Sequence, residues 1–220
     1  MPGELRFFAP LAWVKGGWAR DVLLEAEQGH WTRIAPDAGM SDRLGATTLH
    51  GPVLPGLVDA HSHAFQRAMA GLTERSPGGD DDFWSWRDRM YRAANRITPQ
   101  QLEAVAAFLY AELLQAGYTH VCEFHYLHND IDGKPYADPL ELSRALARAA
   151  HRTGIGLTLL PTLYMRSGFA AKGLRDDQRR FASTPQSVLQ IASAMRSGTS
   201  DPARITAGVA LHSLRAVDVA

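Results

Sequence analysis

The sequence holds a single cysteine, Cys122, so no disulfide can form within the chain and packing must hold the fold together. A lone thiol of this kind fits a reducing compartment. Charge of one sign is not in excess: Lys plus Arg and Asp plus Glu each number 23, for a formal net charge of zero. The electrostatic footprint of a nucleic-acid binder is therefore missing. No apolar run approaches the ~20 residues that span a bilayer. The start, Met1 to Phe8, lacks the basic segment and apolar core of a secretory signal, so a cytoplasmic protein is expected. Also absent is a Gly-x-Gly-x-x-Gly fingerprint at the first strand–helix turn, which weakens a dinucleotide-binding reading. What remains, 45 % hydrophobic and 21 % charged residues over 220 positions, is an ordinary globular composition. It is enough for one large domain, or for one domain plus a small appendage.

The most informative stretch is Val53 to His63. An apolar run reaches Asp59 and then delivers His61 and His63, one residue apart. Side chains two positions apart on a strand share a face. Both imidazoles can therefore meet one ion, and histidine is the commonest neutral ligand for zinc and similar divalent metals. Gln66 and Arg67 follow at once.

Residues 1–52 read as a small β unit: strands over Leu5 to Trp13, Ala19 to Glu25 and Trp31 to Ile34, with turns at Gly16-Gly17 and Gly29. Such a unit is too short to bury a substantial core alone. Beyond the histidines, Ala64 to Gly71 reads as a helical turn. Glu74 to Asp82, rich in Gly, Pro and Asp, reads as a loop that is either a lid or simply solvated, with Asp82 capping a helix from Phe83. Trp84 and Trp86 are expected to pack rather than bind. A rhythm then starts. Thr98-Pro99-Gln100-Gln101, Asp138-Pro139-Leu140-Glu141 and Thr184-Pro185-Gln186-Ser187 each open an amphipathic helix, and Gly117, Gly154 and Gly198 close them. Apolar strands follow at 118–124, 155–163 and 205–211, which with 53–60 makes four. Continuous apolar strands between amphipathic helices specify an α/β fold with a helix-covered parallel sheet, either doubly wound or a (β/α) barrel. Polar residues stand at the C-terminal end of every strand: His61 and His63; Glu123, His125 and Tyr126; Tyr164 and Arg166; His212 and Arg215. That is the face on which (β/α)8 barrels build active sites.

A small β unit, an apolar strand ending in His-x-His, and (β/α) repeats together resemble the amidohydrolase superfamily. The local motifs Val58–Glu74, Glu123-Phe124-His125-Tyr126-Leu127-His128, Leu160-Pro161-Thr162-Leu163-Tyr164 and His212-Ser213-Leu214-Arg215-Ala216-Val217 resemble, more narrowly, the formimidoylglutamate deiminases. The resemblance covers the whole chain. It implies a (β/α) barrel of the metal-dependent hydrolase type, with only about its first four β/α units in residues 53–220. Residues 1–52 would be part of a small N-terminal β-sandwich. It also implies zinc-dependent hydrolysis of N-formimidoyl-L-glutamate to N-formyl-L-glutamate and ammonia, a step of histidine degradation. By the same resemblance one zinc is bound by His61 and His63, and substrate is contacted by Gln66, Tyr126, His212 and Arg215. The full-length enzyme is expected to be a homodimer, with neither nucleic acid nor membrane as partner.

Leu211 stands where the family pattern has proline. The resemblance places the remaining zinc histidine, the zinc aspartate and the proton-moving glutamate and histidine beyond Ala220, so no catalytic residue is expected within the chain and the isolated fragment is expected to be inactive. Two-metal relatives carry a bridging lysine on the fourth strand. Neither 205–211 nor 155–163 holds a lysine, which favours a single ion. His30, His50 and His151 read as surface or structural residues, and His120 as a partnered core residue. Cys122 reads as a small buried one, and His125 and His128 carry no assigned role. The alternatives are a zinc aminohydrolase acting on a purine or triazine-like ring, and a catalytically silent half-barrel.

Overall fold

The structure, a computed structural model, describes residues 5–73 and 83–218, with only the backbone at 83–85. The loop Glu74 to Asp82, the Asp82 cap and the Trp84 side chain thus lie outside the described residues. The chain divides into two units, Met1–Gly56 and Leu57–Ala220.

In the first unit, β1 (Leu5–Val14) and β2 (Gly17–Glu27) form an antiparallel hairpin, closed by Lys15 and Gly16 at φ 51° and 84°. This is the left-handed pair that a tight hairpin turn demands. β3 (His30–Ala35) pairs with β2, and the two-residue β4 (Thr47–Thr48) runs parallel to β1, giving the order β3-β2-β1-β4. A single helical turn, α1 (Met40–Arg43), lies between β3 and β4. Among the described residues, the buried hydrophobic cluster of this unit is formed by Ala9, Ala12, Val22 and Leu24. Val53, expected to open the histidine strand, instead bridges to Ala12: Trp13 N–H donates to Val53 O at 2.8 Å and Val53 N–H to Leu11 O at 2.9 Å. Pro55, which has no N–H to donate, then separates this pairing from the next strand.

The second unit is a parallel sheet of β5 (Leu57–Ser62), β6 (Tyr118–His125), β7 (Gly156–Leu163) and β8 (Ile205–Ala207), in that order, with β9 (Ala210–Leu211) also pairing with β7. The expected fourth strand is thus broken. The chain steps at Gly208, whose N–H donates to Leu159 O at 2.9 Å, and an added Cβ there would meet Leu160 Cδ2 at 3.0 Å. Helices α2 (Phe83–Ala94), α3 (Pro99–Gln115), α4 (Glu141–Thr153) and α5 (Pro185–Ser197) cover one face. Thr98 and Thr184 cap α3 and α5 as expected, their hydroxyls accepting from Gln101 N–H at 3.2 Å and Ser187 N–H at 3.1 Å. Asp138 does not repeat the pattern. Helix α4 begins at Glu141, while Asp138 accepts from Leu140 N–H at 3.0 Å and pairs with Arg144 at 3.0 Å. Gly117 and Gly154 end α3 and α4 at φ 89° and 86°, where a side chain would be strained.

The sheet is two-sided. Val121, Leu157, Leu159, Ile205 and Ala207 are buried beneath the helices, whereas His120, Cys122, Phe124, Thr158 and Leu160 on the other face are half-buried and Thr206 is exposed. On the edge strand β5, Leu57 and Val58 are exposed. Among the described residues no helix is long and apolar enough to cross a membrane.

Candidate metal centre and substrate pocket

The ladder of β5 slips against β6 between Asp59 and Ser62, just where the histidines emerge. Asp59 Oδ1 accepts the His61 N–H at 3.2 Å, and the chain leaves the strand at His63 into a 3-10 turn, Ala64–Met69. The two imidazoles stand on one side with their Nε2 atoms 3.0 Å apart. His63 Nδ1 lies 2.9 Å from the Phe124 carbonyl. A carbonyl only accepts, so Nδ1 carries the hydrogen and the neutral ring turns a bare Nε2 toward His61. Burial holds the His63 pKa below its ordinary value, against the opposing pull of the Phe124 bond, and neighbouring His61 lowers it further. Neutral imidazole is the metal-binding form. Two imidazole nitrogens brought together, one with its tautomer fixed by a backbone carbonyl, suit zinc or a similar divalent ion. Among the described residues no group of three or more His, Cys, Asp or Glu gathers to hold a metal, so the pair offers two donors.

Beside the pair lies a cavity of about 260 Å³ lined by His63, Gln66, Tyr126, Tyr164, His212 and Arg215, together with Trp86, Arg87, Met90, Tyr91 and Phe181. All four residues expected to contact substrate thus border one space with His63, one of the two expected metal ligands. Larger hollows exist on the surface, including one of about 650 Å³ against α4 and α5, but they hold none of these groups. Tyr126 is the hub. Its hydroxyl accepts from Gln66 Nε2 at 3.1 Å, and its ring lies 5.0 Å from His63, 5.3 Å from His212 and 5.0 Å from Phe181. Burial raises its pKa above the ordinary phenol value, so it stays a neutral hydroxyl. The His212 ring packs 4.3 Å from Tyr164, and its pKa is lowered to about 4, first by burial and then by His63, Arg215 and His61. At neutral pH it is an uncharged donor and acceptor.

Helix α2 and the 3-10 turn Asp176–Phe181 supply the wall that the strand motifs do not announce. Buried Gln178 donates through Nε2 to Tyr91 Oη at 2.9 Å and to Tyr164 Oη at 3.0 Å, fixing both rings. The wholly buried Arg180 anchors that turn to the end of α2, donating to Ile97 O and Asn129 O, each at 2.9 Å, and to Ala94 O. Trp86 both packs on the core, as expected, and borders the cavity.

Other polar strand-end residues stay out of the cavity. Glu123 and His125 have the opposite parity to Phe124 and are buried on the helix-covered side. His128 Nε2 bonds Thr162 O at 3.0 Å. Arg166 Nε donates to the Arg215 carbonyl at 3.2 Å, supporting that loop from behind. His120 is partnered as expected, by Thr158 Oγ1 at 2.8 Å, but it and Cys122 are only half-buried, because both lie on the open face.

The amidohydrolase family model matches residues 53–212, most of the chain. The chain belongs to the amidohydrolase family. This amidohydrolase chain is 48 % identical to a formimidoylglutamate deiminase of Pseudomonas aeruginosa over 211 residues, covering 96 % of the chain and 46 % of that protein. A crystal structure of an amidohydrolase from Brucella melitensis superposes with a TM-score of 0.87 at 41 % identity, over 97 % of this chain and 47 % of that one. An atrazine chlorohydrolase from Arthrobacter aurescens, solved with zinc, shares the fold alone: TM-score 0.67, 19 % identity, 94 % and 46 % coverage. The chain spans about half the length of the curated deiminase it matches.

Proposed function

We propose that these residues form the first half of a (β/α)8 barrel, with the N-terminal sheet as part of a small β-sandwich. The protein to which they belong hydrolyses N-formimidoyl-L-glutamate to N-formyl-L-glutamate and ammonia. The observation that carries this reading is the single cavity bordered at once by His63, Gln66, Tyr126, His212 and Arg215. His61 and His63 contribute two ligands to one divalent metal. The other ligands and the proton-transfer groups are assigned to sequence outside these residues. When bound, zinc lowers the pKa of a water to ~7 and so supplies a nucleophile at neutral pH.

The chain's own groups bind and orient the substrate. A glutamate carries two carboxylates, and a planar guanidinium meets a carboxylate through two parallel hydrogen bonds. Arg215 takes this role, and Arg87, which lines the same cavity, supplies a second cation. Gln66 and the neutral Tyr126 hydroxyl orient the formimino nitrogen, while uncharged His212 bonds the glutamate portion. Water adds to the formimino carbon, the carbon–nitrogen bond to the terminal nitrogen breaks, and that nitrogen leaves as ammonia.

The aromatic walls, Trp86, Tyr91, Tyr126, Tyr164 and Phe181, also suit a flat ring, which keeps a purine or triazine substrate as the second reading. Arginine dependence separates the two. In the full-length product of the gene, Arg215→Ala is expected to lower kcat/KM for N-formimidoyl-L-glutamate at least a hundredfold, with Arg215→Lys restoring little. Equal sensitivity toward a neutral ring substrate would favour the second reading. The 220-residue chain alone is expected to release no ammonia. Turnover by it would contradict the assignment of essential groups to sequence elsewhere.

A further inference from the structure

We propose that Glu123 is a positioning residue for the metal-binding pair, holding His63 from behind the sheet through the backbone N–H of Ala64; the proposal rests on the metal reading above. Glu123 is only 2 % exposed, on the helix-covered face of β6 directly across from Ser62. A carboxyl buried there costs free energy that an apolar side chain would not. What it gains is specific. Its Oε1 accepts the Ala64 N–H at 2.7 Å, the first amide after His63.

That amide opens a 3-10 turn, where N–H groups lack partners within the helix. The residue that would ordinarily cap it is His63 itself, at φ −133° and ψ 83°, and it makes no side-chain cap because its ring is turned to the Phe124 carbonyl. Glu123 performs the capping across the sheet instead. Consecutive residues of β6 therefore clamp His63 from two sides. The Glu123 side chain fixes the backbone as the chain leaves His63, and the Phe124 carbonyl fixes the ring. The strand thus acts as a jaw, one residue holding the backbone and the next the ring.

The test titrates Co(II) alone into the purified 220-residue chain, with long-range ¹⁵N–¹H NMR reading the ring tautomers of its histidines. Wild type is expected to bind and the His61→Ala/His63→Ala double variant not to. Equal binding by both would sink the metal reading itself. Glu123→Ala is expected to weaken Co(II) at least tenfold, the range found when outer partners of metal ligands are removed. It should also scramble the Nδ1–H tautomer of His63. Glu123→Gln keeps an acceptor oxygen at the same reach and should stay within about threefold of wild type with the tautomer intact. A merely structural role predicts a lower Tm for Glu123→Ala with unchanged affinity in the folded protein, and that result overturns the proposal. Should Glu123→Ala fail to fold, Glu123→Asp decides. One methylene shorter, it should bind several-fold more weakly than the Gln variant, and parity between the two would refute the clamp.

Discussion

The two faces of the parallel sheet differ in kind. Beneath the helices, Val121, Leu157 and Leu159 are fully buried, and the polar groups among them, Glu123 and His125, are sealed from water. On the other face His120, Thr158 and Thr206 join in a hydrogen-bonded row of 2.8 and 3.0 Å, and Phe124 lies against His61 with ring centroids 4.1 Å apart. Strand alternation sorts each β6 residue to one side or the other, so neighbours in sequence do different work. The covered face carries stability and support, whereas the open face and the strand tips carry the groups that we propose meet a metal and a ligand.

Three probes test that division. Leu157→Ala, on the covered face, should cost about 2–5 kcal/mol in urea unfolding, while Leu160→Ala, half-buried on the open face, should cost about 1 kcal/mol or less. Comparable losses would erase the distinction between the faces. The second probe is pH. Burial raises the Glu123 pKa from its ordinary 4.5 to about 7, so the native state keeps a proton that the unfolded chain has released. The contribution is complete below pH 4.5 and lost as pH rises through about 7. Glu123→Gln cannot titrate. Its stability relative to wild type should therefore climb between those pH values, by on the order of 3 kcal/mol at most. A flat difference would mean that the carboxyl is hydrated or otherwise paired. The smallest expected effect is His61→Ala, which should change stability by less than ~1 kcal/mol, since His61 is exposed, yet weaken metal binding.

Much of this was legible in the residues. The period of two announced that His61 and His63 would share a side, and the Thr-Pro starts of α3 and α5 lie where their capping chemistry puts them. The opening of β5 was misplaced because Val53 looks like any other strand residue until its pairing with β1 is known. The break at Gly208 was hidden inside an apolar run for the same reason. In the pocket, the residues at strand ends could be read, but Arg87, Tyr91, Gln178 and Phe181 could not. They sit on helical segments whose approach to the strand tips is decided by tertiary anchors such as the buried Arg180, which no local pattern signals. Glu123 and His125 were counted with the strand-end polar groups, although their parity with Val121 sends them to the covered side.

X-ray absorption of the zinc-loaded chain addresses the central claim most directly. Convergence of His61 and His63 on one ion predicts two imidazole scatterers at ~2.0–2.1 Å, falling to one in either single alanine variant and to none in the double variant. A spectrum without imidazole scattering, or one unchanged in the double variant, would contradict the account.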